Sequence, residues 1–239
     1  MPYLGVYIMF SKEQWLELLK AIIEEELDGE IIIDLENPKK GGPIKDFSSL
    51  ETIGKAAATR AASFVMDMSG DEVDVNVFKI KLTSLNKLLS ETPEDKKVFT
   101  KIDFNGMLSG MGVLIFTEPD AIKMGDSMLK GMFMEDPEVD VLSELKISAI
   151  NETCNLLVSA FVDTFANYME TSLSMTPPEY CLNDTVSFLN EALENHNIGK
   201  DDLIFTFESE LVSKGIDSSF EVFMAMNPES TAKLSEKLE

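Results

Sequence analysis

Two periods alternate along this chain. Apolar residues three and four apart mark helices, and strict alternation marks strands with one covered face. "EQWLELLKAIIEEEL" has the first period, behind Ser11 and Gln14 spaced as a capping box. "GEIIIDL" reads as a short strand and "ENPKKGGPIKDF" as a turn-rich linker. From residue 47 onward the same series of elements runs twice.

The first series opens with the helix "SSLETIGKAAATRAASFVMDM", followed by the alternating strand "DEVDVNVFKIKL" and the short helix "TSLNKLLSE". "KVFTKIDFNGMLSGMGVLIF" then reads as a hairpin with Gly at its turn. "TEPDAIKMGDSMLKG" is a capped helix with Pro119 just inside its start. The second series begins with "VLSELKISAINETCNLLVSAFVDTFANYME" and continues through "SLSMTPPEYCL" as strand and "DTVSFLNEALENHN" as helix. The hairpin "DLIFTFESELVSKGIDSSFEVFMAM" and a last helix follow, with Asn227 as N-cap and Pro228 at its first position. This order predicts an α+β fold, internally duplicated with pseudo-twofold symmetry, its long helices packed on a mostly antiparallel sheet. The expected organisation is an N-terminal extension over residues 1–45, helix plus linker, and one domain over 46–239. That domain divides into a first half, 46–135, and a second, 140–239.

Composition narrows the function classes. The 239 residues carry 43 acidic and 20 basic side chains, a formal net charge of −23. Such a surface repels phosphate backbones and anionic bilayers, so nucleic-acid and membrane partners are not expected. Arg60 is the lone arginine, which argues against bidentate phosphate recognition. Cys154 and Cys181 suggest neither a disulfide framework nor a metal site. No apolar run approaches the roughly 18 residues of a membrane span. The start lacks a basic region and a cleavage site, so a cytoplasmic protein is expected.

The second long helix carries the candidate chemistry. On a helical wheel Ile147, Ile150, Cys154, Leu157, Val158, Phe161 and Phe165 share one arc, which should face the core. Ser148, Glu152, Asn155 and Ser159 form a narrow stripe on nearly the opposite side. Asn is a mediocre helix former, and here it has no capping role. A solvated face is the plain explanation of such a stripe. Glu-x-x-Asn alone carries no weight, since Glu194 and Asn197 repeat it. The longer pattern is rarer: Ser148 four before Glu152, Asn155 three after, then Pro177 with Pro178 beside it. Elsewhere, Met124, Met128, Met132 and Met134 read as core filling rather than as a partner surface. His196 reads as an exposed loop residue.

Ser148, Glu152, Asn155 and Pro177 together resemble the signature of the CheC/CheX/FliY chemotaxis phosphatases, and CheC most of all. "ETIGKAAATRAASFV", "FNGMLSGMGVLIF" and "MTPPEY" extend the resemblance over residues 46–239. It implies hydrolysis of the aspartyl phosphate of a CheY-type response regulator. Asn155 would orient the attacking water, Glu152 would pair with a lysine of the regulator, and Ser148 and Pro177 would support the site. The phosphatase would need no cofactor or metal of its own, because Mg²⁺ is expected in the partner receiver. Phosphoryl transfer is mostly positioning and electrostatics, so so small a constellation is chemically sufficient.

The first half departs from the pattern. Glu51 stands at the Glu position, but Gly54 occupies the Asn position, and the Pro position near Val77 or Phe78 is apolar. One competent site, in the second half, is therefore expected, with Glu51 and Gly54 as a degenerate first site. The duplication favours a CheC-like over a CheX-like chain, and the end at Glu239 leads to no expectation of a flagellar-switch domain. The competing class is a non-catalytic adaptor binding CheD or a receiver domain.

Overall fold

A computed structural model describes residues 29–33, 47–70 and 72–237. The sequence-predicted helix behind Ser11, the linker before residue 47 and the reading of residues 1–28 lie outside the described residues. β1 (Gly29–Ile33) is followed by α1 (Phe47–Ser69), β2 (Val73–Ser84), α2 (Leu85–Glu91), β3 (Lys96–Gly106), β4 (Gly110–Phe116) and α3 (Glu118–Gly131). Then come α4 (Glu144–Tyr168), β5 (Leu173–Met175), β6 (Glu179–Asp184), α5 (Thr185–Asn195), β7 (Leu203–Ser213), β8 (Ser218–Met226) and α6 (Pro228–Lys237).

Local chemistry sets these boundaries. The Thr117, Ser143, Asp184 and Asn227 side chains accept backbone N–H groups at the starts of α3, α4, α5 and α6. Pro119 and Pro228 lie in first turns, where a missing N–H costs nothing. Gly106 takes φ +149° at the β3–β4 turn, a backbone state that favours glycine.

The strands form one eight-stranded sheet in the order β1-β2-β7-β8-β4-β3-β5, with β6 continuing the β5 edge along β3. Among the described strands, β1–β2 is the one parallel pair. The fold is α+β, a mostly antiparallel sheet covered by helices. From α1 to α3 and from α4 to α6 the element order is the same, apart from the split of one strand into β5 and β6. The two series interleave in the sheet: β2 pairs with β7, and β3 pairs with β5 and β6.

Helices α1, α3 and α4 bury their apolar sides on one sheet face, with Phe161 against Phe207 at 4.8 Å and Phe165 against Phe205 at 5.8 Å. The short helices α2 and α5 cover the other face, where Phe188 stacks on Phe99 at 4.0 Å. Each fully buried Phe or Leu contributes about 1.5–3 kcal/mol by leaving water. β4, buried along its whole length, reads as a continuous apolar run because both of its faces are covered.

Candidate functional site

The stripe on α4 depends on what holds the helix down. Ile150, Cys154, Leu157, Val158, Phe161 and Phe165 are buried, as the wheel predicts, whereas Ile147 is half-buried. Cys154 Sγ lies 3.2 Å from the Thr100 carbonyl, and burial pushes its thiol up to about 12. It is a core residue. With that side anchored, the opposite side has a fixed direction. Ser148 and Glu152 are exposed, and Asn155 and Ser159 are half-buried.

Among the described residues, neither the Glu152 carboxylate nor the Asn155 carboxamide is tied by a hydrogen bond or an ion pair. The two sit three apart, hence side by side on the helix surface. One turn on, Ser159 donates to the Asn155 carbonyl at 2.6 Å, and its oxygen lies 3.9 Å from Met175 Sδ. Met175 ends β5, two residues before Pro177. Thr176 is pinned to β3, its N–H donating to the Asp103 carbonyl at 2.9 Å and its hydroxyl accepting from the Asp103 N–H at 3.0 Å. Pro177 is exposed, Pro178 is half-buried, and β6 resumes at Glu179. Two prolines in a row cannot donate to the ladder, so the edge breaks there. The stripe therefore meets the β5 edge at Ser159, one turn beyond Asn155, with Ser148 at its far, N-terminal end.

Asn151, next to Glu152 in the helix, adds a further polar atom. Its Oδ1 is enclosed and has no hydrogen-bond partner, one turn before Asn155. Lys146 was not anticipated. It lies on the core arc two residues before Ser148, with its side chain fully buried. Nζ donates to the Glu138 and Val141 carbonyls at 2.6 and 3.0 Å and pairs with Asp126 at 3.1 Å and Asp136 at 3.8 Å. The Ser143 hydroxyl also bonds Asp136, and these bonds hold the Asp136 carboxyl below its ordinary value. The signal was present: a lysine in helical register with Ile150 needs a buried acceptor set.

The first half corrects one expectation. Glu51 lies in α1, but Gly54 faces the sheet. A Cβ there would stand 2.9 Å from the Phe207 ring and 3.3 Å from Ile80. An amide at residue 54 would enter the core, so Gly54 is not a degenerate counterpart of the outward Asn155. It is a seam residue that lets α1 approach β7. Val77 and Phe78 fall inside the continuous strand β2, with a register shift between Val75 and Val77.

Two smaller readings also change. His196 is not an exposed loop residue: its side chain is 12 % exposed, and Nε2 lies 3.0 Å from Asp103 Oδ1. Burial raises the Asp103 pKa, but hydrogen bonds from His196 and Lys101 outweigh it and hold the carboxyl below its ordinary value. This cluster sits on the sheet face opposite α4. The methionines divide: Met124 and Met128 are buried, while Met132 and Met134 are exposed.

Among the described residues no cluster of three or more His, Cys, Asp or Glu is arranged to hold a metal ion. None of their helices is long and apolar enough to cross a membrane.

No family profile matches the chain. A Halobacterium salinarum protein named "Putative CheY-P phosphatase CheC1" is 22 % identical over 171 residues, 70 % of this chain and 84 % of that protein. Among solved structures, Thermotoga maritima FliY superposes with a TM-score of 0.63 at 16 % identity, covering 86 % of this chain and 98 % of FliY. FliM in a FliM–SpeE complex from H. pylori gives 0.60 at 13 % identity, covering 82 % and 96 %. At these identities the structural likenesses show the fold.

Proposed function

We propose, for a chain whose fold is that of FliY and whose sequence is similar to a putative CheY-P phosphatase, that it hydrolyses the aspartyl phosphate of a CheY-type response regulator. The observation that carries this reading is the pair of unengaged side chains, Glu152 and Asn155, on the outward face of an anchored 25-residue helix. The Asn155 carboxamide enters the receiver's site and holds a water in line with the phosphorus–oxygen bond. Its carbonyl oxygen can accept a hydrogen bond from one O–H of the water and its N–H can donate to the water oxygen, so it orients the water without acting as a base. Water oxygen bonds phosphorus, the bond to the aspartyl oxygen breaks, and carboxylate and inorganic phosphate result. Mg²⁺ in the receiver neutralises the phosphoryl oxygens. Glu152 pairs with a receiver lysine and fixes the docking angle. Ser148 and the Pro177 break shape the borders.

The phosphatase needs only to position, which suits a rigid helix with few polar groups. The test is the decay of receiver acyl phosphate with Mg²⁺, in the presence of wild type, Asn155→Ala and Glu152→Lys. Wild type should accelerate decay, and both folded variants should return it to the receiver's own rate. Acceleration by Asn155→Ala equal to wild type would overturn the assignment.

The alternative reading is an adaptor binding CheD or a receiver; the FliM fold neighbour was solved in complex with SpeE. A CheD titration that left both binding and phosphatase rate unmoved would remove CheD from it.

A further inference from the structure

The segment between α3 and α4 shows apolar side chains to water while being held in place. Five of the eight large apolar side chains exposed among the described residues lie in it: Met132, Phe133, Met134, Val139 and Val141. Phe133 is 99 % exposed and sits at φ +58°, a backbone state that costs a bulky residue free energy. Exposure here does not mean slack. Phe133 N–H donates to the Lys130 carbonyl at 3.0 Å and Met134 N–H to the Leu129 carbonyl at 2.8 Å. From the other side, buried Lys146 holds the carbonyls of Glu138 and Val141. Burying an ammonium and holding a bulky residue at positive φ each carry a free-energy cost, and an exposed apolar cluster held in place is the mark of an interaction surface.

We propose that this loop is a docking wall for the partner, taking an apolar pocket ringed by basic side chains, and that it engages the receiver beside the Glu152–Asn155 stripe. The inference rests on the phosphatase reading for the identity of the partner. Two observations select the occupant. The first is position: the segment runs directly into the N-terminus of α4, and Ser148, where the outward stripe begins, is only the fifth residue of that helix. A body docked along the stripe reaches the N-terminal end of α4, where the loop joins it. The second is charge. Glu135, Glu138 and Asp140 interrupt the apolar side chains as exposed carboxylates, Asp136 being turned in to Lys146 and Ser143, and no basic residue lies between 132 and 142. The occupant should bring lysine or arginine to that rim. A second copy of this chain, at −23, would bring the same acidic rim against itself. Phe133 is the expected anchor, since buried aromatics dominate interface energies.

Calorimetric titration with an Mg²⁺-bound, beryllofluoride-loaded CheY-type receiver of the same organism tests this, alongside steady-state dephosphorylation and light scattering. Phe133→Asn is the informative variant, because Asn tolerates the left-handed backbone and the deleted ring supports nothing inside. It should weaken binding and raise KM about tenfold or more with kcat near wild type. Asn155→Ala should keep the affinity and lose kcat. Glu138→Lys should slow association and flatten its dependence on salt. Unchanged affinity and KM in Phe133→Asn, with wild-type turnover intact, would refute the wall and leave the phosphatase reading standing. Binding that depends on Phe133 without any turnover would do the reverse. A receiver that fails to bind, or a wild-type dimer that Phe133→Asn dissolves, would overturn the proposal.

Discussion

α1 and α4 lie on the same sheet face, and each is the long helix that opens its half of the chain. They meet the sheet with different side chains. α1 buries Gly54, Ala57, Ala58, Ala61, Ala62 and Val65, so its backbone can come close to the strands. α4 buries Ile150, Leu157, Phe161 and Phe165. Their outward sides differ as well. Arg60 of α1 reaches Asp163 of α4 at 4.0 Å and lies over the Phe64 ring, so part of that side is engaged in holding the helices together. α4 presents Glu152 and Asn155 unengaged. The strands that follow repeat the contrast, since β2 runs for 12 residues unbroken by proline while Pro177 and Pro178 divide β5 from β6. The lesson is that similar element order does not give similar surfaces. An open site needs an anchored helix, free polar tips and an interrupted neighbour together.

The largest expected effect separates the two helices directly. Asn155→Ala should lower receiver dephosphorylation by about a hundredfold or more, the scale set by loss of positioning. Thr59→Ala, on the exposed side of α1, should leave the rate within about twofold, measured in the same acyl-phosphate assay. Equal losses in the two variants would erase the contrast. Next in size, Gly54→Asn asks whether the first half lacks only an amide. Overpacking against Phe207 should cost about 1–3 kcal/mol in urea unfolding and confer no second site. Extra turnover from that variant would show that residue 54 can point outward.

The double change Pro177→Ala, Pro178→Ala should let β5 and β6 approach continuity. About a tenfold loss of turnover is expected if the break shapes the approach to Asn155, with the fold retained. Hydrogen exchange at residues 176–178 would register the new ladder bonds. The smallest effect joins the halves: Asp103→Asn weakens the contact between β3 and His196. Since the folded Asp103 pKa is depressed, its stabilisation is present above the ordinary carboxylate range and disappears as pH falls through the lower folded value. The gap in Tm between wild type and variant should therefore be full near neutrality and close in acid.

Local grammar explains what the sequence made legible. Asn227 with Pro228, Pro119 within its helix and the hairpin glycines act within a few residues, so their elements appear as predicted. The core arc of α4 was readable because its apolar residues keep helical register. Features made by distant segments were not readable. Gly54 aligns with Asn155 in the repeated pattern until β7 places Phe207 beneath it. His196 looks like loop until β3 brings Asp103 to it. Met132 continues the four-residue spacing of Met124 and Met128, yet α3 ends at Gly131, and beyond that point the period has no meaning. One strand became two because the prolines that marked the site also cut the ladder.

The interleaved sheet has a consequence for how the chain is made. Up to residue 142 the described strands can pair only as β1 with β2 and as β3 with β4, because β7 and β8 lie between those pairs. Both pairs have an unfilled edge at that stage, and closing them requires contacts across more than a hundred residues. Synthesis proceeds from the N-terminus, so the sheet waits for the β7–β8 hairpin, which bridges the two pairs. A nascent or truncated chain cannot display half of the binding face on a finished scaffold. The sheet that carries α4 is complete only once β8, which ends at Met226, has been made.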